Sequence, residues 1–238
     1  MSKISHISYS SVEKELQCAR CWYYKYVLKQ ELPAGEAASF GKQFDVMVAH
    51  RLGLGPAPAE PLVAGVADAV FAYLAHEEAW MHASAAQTEV KCSPSQWQVL
   101  AEECGANPVL PWPIIGFLDL ERTMEDGIRR EVLDLKTTSR REFRWSWALQ
   151  GTLYALFRRA YRWHVHAVVR TKNLQIATWT YYPSIKTFRW AMDLVAASAA
   201  RMKAWERMGV EEVQAVPGYH CEFCAGRNEC EASVCGRL

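Results

Sequence analysis

No run in these 238 residues approaches the roughly 18 consecutive apolar positions that a bilayer crossing demands, so no membrane partner is expected. Met1 to Ser11 lacks the basic start, apolar stretch and small-residue cleavage site of an export signal, and the expected location is cytoplasmic. Neither sign of charge dominates. Lys and Arg number 27 against 26 Asp and Glu, for a formal net charge of +1, so any surface for a polyanion has to come from local clustering. Internal repeats and low-complexity linkers are missing as well. Eight cysteines without an export signal suit a reducing compartment, where thiols more often bind metal or do chemistry than form disulfides.

A hydrophobic content of 50% over this length supports one substantial core, and residues 1–238 are read as a single domain. Its first part, about 10–86, is helical in pattern. Ser10 to Lys29 carries Leu16, Trp22, Tyr23, Tyr26 and Val27 at mostly helical spacing, and Phe40 to Leu52 continues the pattern. After the Gly-Pro-rich stretch from Gly53, Pro61 is expected to open a long Ala-rich helix to about Ala86. Between about 87 and 183 the texture changes. Thr88–Cys92, Ile114–Glu121 and Arg130–Lys136 read as strands, Trp145–Trp163 as a helix, and His164–Thr171 and Gln175–Tyr182 as two further strands. A last helix, Ser184–Met208, precedes a Cys-rich tail within about 184–238. The fold class is therefore α/β, a central mixed sheet flanked by helices.

The chemistry centres on two apolar strands that carry acids. Ile115-Gly116-Phe117-Leu118-Asp119-Leu120 is followed, across a hairpin turn at Glu125-Asp126-Gly127, by Val132-Leu133-Asp134-Leu135-Lys136-Thr137-Thr138. Side chains alternate across a strand, so Asp134 and Lys136 share one face while Leu133 and Leu135 take the other. Pairing of the strands can set Asp119 beside Asp134, and two carboxylates around one point make a hard-oxygen site for Mg²⁺ or Mn²⁺. Taken alone, an acid and a Lys two residues apart are ordinarily just a solvated face. Near the two ends stand Cys18-Ala19-Arg20-Cys21 and Cys221, Cys224 and Cys230 in a C-x2-C-x5-C spacing, with Cys235 beyond. C-x2-C by itself suits zinc, iron-sulfur or redox chemistry.

Gly-x-x-Asp, then fifteen residues later Asp-x-Lys-Thr on an apolar strand, resembles the core of the PD-(D/E)XK nuclease superfamily in its RecB-like, CRISPR-associated exonuclease branch. The likeness extends to Gln150-Gly151-Thr152-Leu153-Tyr154, where the family carries Gln-x-x-x-Tyr on the helix after the Lys strand. Spacing of four puts Gln150 and Tyr154 on one helical face. The family often has Gly-x-x-x-His on an early helix; here Gly41-Lys42-Gln43-Phe44-Asp45 sets Asp45 in that place, while His50 falls about 140° around the helix and is read as surface or structural. The resemblance implies a restriction-endonuclease-like core, with Asp45, Asp119, Asp134 and the Leu135 carbonyl holding Mg²⁺ or Mn²⁺. Asp119, Asp134, Lys136, Gln150 and Tyr154 would form the catalytic set. It further implies that Cys18, Cys221, Cys224 and Cys230 hold a 4Fe-4S cluster that clasps the chain's two ends; a four-cysteine zinc site or unliganded thiols are the alternatives. Cys21 or Cys235 could take the place of a ligand, and Cys92 and Cys104 lack partners at ligand spacing.

From Lys136 to Lys172 there are nine Lys or Arg against one acid, Glu142. Such clustering neutralises phosphates, and Phe143, Trp145 and Trp147 are interleaved aromatic faces for bases. Arg140, Arg141, Arg144, Trp145 and Arg158 are expected on a DNA surface. The function implied is a metal-dependent DNA nuclease, expected to act as an exonuclease on single-stranded DNA or DNA ends. Nucleoprotein, recombination or CRISPR proteins are conceivable partners, in a bacterial or phage-infected cell. The alternative is a catalytically inactive DNA- or protein-binding module with a structural metal cluster.

Overall fold

The computed structural model describes residues 4–232, and Cys235 lies outside them. The chain forms two compact units, one of Met1–Pro33, Lys91–Gly116 and Arg189–Leu238, the other of Ala34–Val90 and Phe117–Phe188. Among the described residues, no helix is long and apolar enough to cross a membrane.

The helices are α1 (Tyr9–Gln17), α2 (Ala19–Tyr26), α3 (Glu36–Arg51), α4 (Val66–His76), α5 (Pro94–Glu103), α6 (Trp145–Arg158) and α7 (Ile185–Trp205). The strands β1 (Ala85–Cys92), β2 (Ile114–Thr123), β3 (Arg130–Thr138), β4 (Arg162–Val169) and β5 (Gln175–Tyr181) form one sheet in the order β1-β2-β3-β4-β5. β2 and β3 pair antiparallel, β3 and β4 parallel across α6, and β4 and β5 antiparallel. A parallel pair needs a crossover, and α6 supplies it.

Within the second unit both faces of the sheet are covered. On one, Phe40, Phe44, Val48, Val66, Val70 and Tyr73 of α3 and α4 pack on Leu120, Leu133, Leu135 and Val168. On the other, Trp147, Tyr154 and Ala155 of α6 pack on Val132, Trp163, Val165 and Ala167. β4 is buried along nearly its whole length, and its two histidines, His164 and His166, are buried with its apolar residues. Two glycines permit the close approaches. A Cβ on Gly151 would lie 2.3 Å from the Trp163 ring, and one on Gly41 would lie 3.0 Å from Thr137 Oγ1. α6 and α3 thus reach the sheet on either side of the Asp134–Lys136 segment.

In the first unit, α1 and α7 are joined by the buried Glu15, whose carboxylate accepts from both Arg201 Nε (2.7 Å) and Nη2 (2.9 Å). Arg20 of α2 donates to the Val213 and Glu211 carbonyls, and the Tyr23 hydroxyl to that of Met208. These bonds tie residues near the start of the chain to the segment after α7.

Three sequence expectations are corrected. The long helix from Pro61 to Ala86 is only Val66–His76, starting after Gly65 in left-handed backbone (φ 82). Trp80 is drawn into the core, and Ser84 N donates to the Glu121 carbonyl (2.8 Å), so pairing with β2 overrides the helical propensity of the alanines around residue 85. The helical stretch from Ser10 breaks at Cys18, which is extended (φ -164, ψ 113). Helix α5 was not expected, although Ser93-Pro94-Ser95-Gln96 forms a capping box with Pro in the first turn, a signal legible in the sequence.

Candidate functional site

In the β2–β3 register Leu120 faces Leu133, and next in line stand Asp119 and Asp134. The Leu135 N–H donates to Asp119 Oδ2 (2.8 Å), which fastens that carboxylate to the neighbouring strand. Two residues on from Asp134, Lys136 Nζ lies 2.6 Å from Asp134 Oδ2 and donates to Gln150 Oε1 of α6 (3.0 Å). The Gln150 amide in turn lies 3.5 Å from the Tyr154 hydroxyl. The shared face of Asp134 and Lys136 and the four-residue step from Gln150 to Tyr154 therefore meet at one point.

Asp134 is 2% exposed, and neither carboxylate oxygen has a well-directed hydrogen bond; the contact with Lys136 is an ion pair. Burial, together with the charge of Asp134, pushes the Asp119 carboxyl up to about 7. Burial raises Asp134 too, against the pull of Lys136. Asp45, on α3, is raised well above the usual carboxylate range by burial and then by the Asp119 charge, so the two carboxylates influence one another. Burial works against the Lys136 ammonium, but Asp134 and Asp119 outweigh it and leave its pKa raised. Asp119 and Asp134 beside one ammonium, with Asp134 Oδ1 buried and lacking a hydrogen-bond partner and Asp45 coupled to them by charge, make an all-oxygen donor set that fits a hard divalent cation.

Gln87 is a site neighbour that sequence reasoning missed. Its amide donates to Asp119 Oδ1 (3.3 Å) from left-handed backbone (φ 47) within β1. A non-glycine residue in that conformation costs on the order of 1 kcal/mol and is held by its surroundings. Nothing in the β1 alternation marks it.

The expected DNA-facing residues divide. Arg140, Arg141, Arg144 and Trp145 are exposed. Arg158 differs from expectation, because its Nε and Nη2 donate to the buried Glu121 carboxylate at 2.8 and 3.0 Å. Phe143 and Trp147 are packing residues rather than open base platforms. They join Trp163, Trp179 and Tyr181 in one aromatic cluster.

In the first unit, Cys18, Cys21 and Cys224 pack together with Tyr24, and ligand atoms of Cys18, Cys21 and His220 all lie within 4.8 Å of one another. Interaction with Cys21 lowers the Cys18 thiol to about 5 and the Cys224 thiol to about 7, and the same contacts, with burial, push the Cys21 thiol up. Cys221 Sγ lies 3.9 Å from the Val216 carbonyl, and Cys230 Sγ 3.8 Å from Arg20 Nη1. All five thiols are buried and free. The structure thus adds Cys21 and His220 to a neighbourhood for which the spacing named Cys18, Cys221, Cys224 and Cys230.

No curated protein matches the sequence. Among solved structures, a candidate exonuclease from Eubacterium rectale superposes with a TM-score of 0.61 at 13% identity, covering 98% of this chain and 89% of that one. The protein SSO0001 matches at a TM-score of 0.46 and 12% identity, covering 96% and 87%. The first likeness is one of fold. A model of the PD-(D/E)XK nuclease superfamily matches residues 6–231, nearly the whole chain including both aspartate strands and the Lys136 position, and the chain therefore belongs to the PD-(D/E)XK nuclease superfamily.

Proposed function

We propose that this protein is a Mg²⁺- or Mn²⁺-dependent deoxyribonuclease that hydrolyses phosphodiester bonds in single-stranded DNA or at DNA ends. The observation that carries the reading is Asp134, a buried carboxylate one of whose oxygens lies 2.6 Å from the Lys136 ammonium while the other has no hydrogen-bond partner, next in line to Asp119 across the β2–β3 pair. Asp45, Asp119, Asp134 and the Leu135 carbonyl would hold the metal. When bound, it supplies an activated water and a counter-charge for the leaving oxyanion. Lys136 orients the attacking water and stabilises charge on the phosphate. Gln150 holds the Lys136 ammonium in place, and Tyr154 backs Gln150. Arg140, Arg141, Arg144 and Trp145 receive the strand, whereas Arg158 serves the fold through Glu121.

The cysteine neighbourhood is proposed as a metal fastener between the chain's two ends, with Cys18, Cys221, Cys224 and Cys230 around a 4Fe-4S cluster. A second reading is favoured by the close grouping of Cys18, Cys21 and His220, which suits one tetrahedral zinc ion with Cys224 as fourth ligand. Iron and zinc analysis of the purified protein separates the two.

Digestion of end-labelled single- and double-stranded DNA with and without Mg²⁺ or Mn²⁺ tests the nuclease reading. Metal-dependent shortening that Lys136→Ala and Asp134→Asn abolish is the expected result. Undiminished cleavage by either variant would remove these residues from the reaction.

A further inference from the structure

Just past Lys136, the end of β3 borders a cavity of about 400 Å³ lined by Ala37, Thr137, Thr138, Ser139, Arg144 and Arg170. Every lining residue belongs to the second unit. Two cations and three hydroxyl side chains therefore meet there, and no carboxylate lines the space. Arg170 is fixed in two ways. Its N–H donates to the Thr138 carbonyl (2.7 Å), which locks the ends of β3 and β4 together, and its guanidinium lies 3.8 Å from the centre of the Phe40 ring. Arg144 caps the start of α6, with its guanidinium 5.6 Å from the Trp147 ring centre. Among the described residues, neither guanidinium forms an ion pair. Asp68 lines a second cavity that shares Arg170, yet it makes no ion pair with it. Elsewhere in this basic stretch the buried acids take the arginines, as Glu121 takes Arg158 and Glu131 takes Arg162.

An arginine packed over an aromatic ring, with no ion pair of its own, has already given up part of the rotamer freedom that binding would otherwise remove. Guanidinium groups match phosphate oxygens bidentately, and hydroxyls add short donor contacts. We propose that Arg144 and Arg170, with Thr138 and Ser139, form a phosphate-binding subsite that takes a phosphate of the DNA strand next to the one being cleaved. The inference rests on the nuclease reading above and deepens it. The sequence follows the same line: from Lys136, whose ammonium meets Asp134 and Gln150, the chain reaches Thr138 and Ser139 within three residues. A phosphate in this cavity would set the strand's register over Asp119 and Asp134. The shared chemistry is a phosphate group, internal diester or terminal monoester.

The test uses binding, so it does not depend on cleavage. The full-length wild type, Arg170→Gln, Arg170→Lys and Arg144→Gln/Arg170→Gln are titrated, without divalent metal, with fluorescein-labelled single-stranded oligonucleotides bearing either a 5′-phosphate or a 5′-hydroxyl. The double variant should bind roughly ten-fold more weakly at low salt, and its log-affinity slope against log salt should fall by about 0.7 for each phosphate that the protein no longer neutralises. Arg170→Lys should keep the slope while giving up part of the affinity, because it retains charge without the bidentate edge. An equal weakening on both oligonucleotides assigns an internal phosphate, and a weakening confined to the 5′-phosphorylated one assigns a terminal phosphate. Melting temperatures within a degree or two of wild type show that the variants are folded. Unchanged affinity and slope in the folded double variant overturn the subsite. Wild type that binds with these properties but never cleaves would sink the nuclease reading and leave the subsite standing.

Discussion

The ammonium of Lys136 lies 2.6 Å from Oδ2 of Asp134, two residues earlier on the same strand, and that aspartate is 2% exposed. Removing the cation leaves a buried carboxylate beside Asp119 with no partner. Lys136→Ala should therefore abolish cleavage, keep most DNA affinity, and destabilise the metal-free protein by roughly 3 kcal/mol. Mg²⁺ should raise the melting temperature of the variant more than that of wild type, because the ion supplies the missing counter-charge. An equal metal shift in both would count against Asp134 as a ligand.

Replacing Asp134 by Asn keeps the shape and removes the charge. Since burial raises this carboxyl and Asp119 also acts on the Lys136 ammonium, metal-free Asp134→Asn should be as stable as wild type or more so, by about 1 kcal/mol, while activity disappears. Scanning fluorimetry with and without Mn²⁺ gives the reading. A clearly less stable metal-free variant would show that the aspartate is better satisfied than its surroundings imply.

Gln87 offers a different kind of substitution. Gly relieves its left-handed backbone and should offset part of the side-chain loss, but it leaves Asp119 Oδ1 without the 3.3 Å amide donor. Gln87→Gly should lose several-fold in kcat and require more metal for half-maximal rate, with stability within about 1 kcal/mol of wild type. A metal requirement identical to wild type would remove Gln87 from the site.

Two histidines on β4 set an acid limit on stability. Burial lowers His164 to about 4 and His166 to about 3. A folded-state pKa below the unfolded value of about 6.5 means that the unfolded chain takes up protons first, so stability falls as pH drops from about 6.5 towards those values. Each histidine contributes a loss of at most about 1.4 kcal/mol per pH unit. His166→Gln, which can keep a polar contact with the Tyr73 hydroxyl, should show a shallower loss between pH 6 and 4.5 in urea titrations. Parallel wild-type and variant curves would mean that His166 is already charged in the fold.

Cys21 separates the two descriptions of the fastener. If the centre is a zinc ion among Cys18, Cys21, Cys224 and His220, Cys21→Ser should lose metal and several kcal/mol of stability, and Cys230→Ser should change little. If it is a cluster on Cys18, Cys221, Cys224 and Cys230, the order reverses and the colour near 400 nm goes with Cys230. Closing a loop of some 200 residues makes either loss large, on the order of 5 kcal/mol.

What could be read from the residues in order was whatever a local period or a short spacing controls. The alternation of β3 placed Asp134 and Lys136 together, and the helical step of four joined Gln150 to Tyr154. The apolar runs also located the strands, with ends shifted by a few residues. The alanines before residue 86 misled because helix propensity is weak against strand pairing, and α5 was missed although its capping box was in view.

The sequence by itself determined the two acid-bearing strands, the Lys136 position, the cysteine spacing and the basic stretch that follows, because each is written within a few neighbouring residues. Only the tertiary structure decided that Gln87 reaches the Asp119 carboxylate and that Cys21 stands beside Cys224. It also decided which arginines remain open to a phosphate, since Arg158 is captured by Glu121 from 37 residues away whereas Arg170 rests on Phe40. Pairing over such separations is set by how helices pack on the two faces of a sheet, and no local pattern encodes which buried acid a given cation will meet.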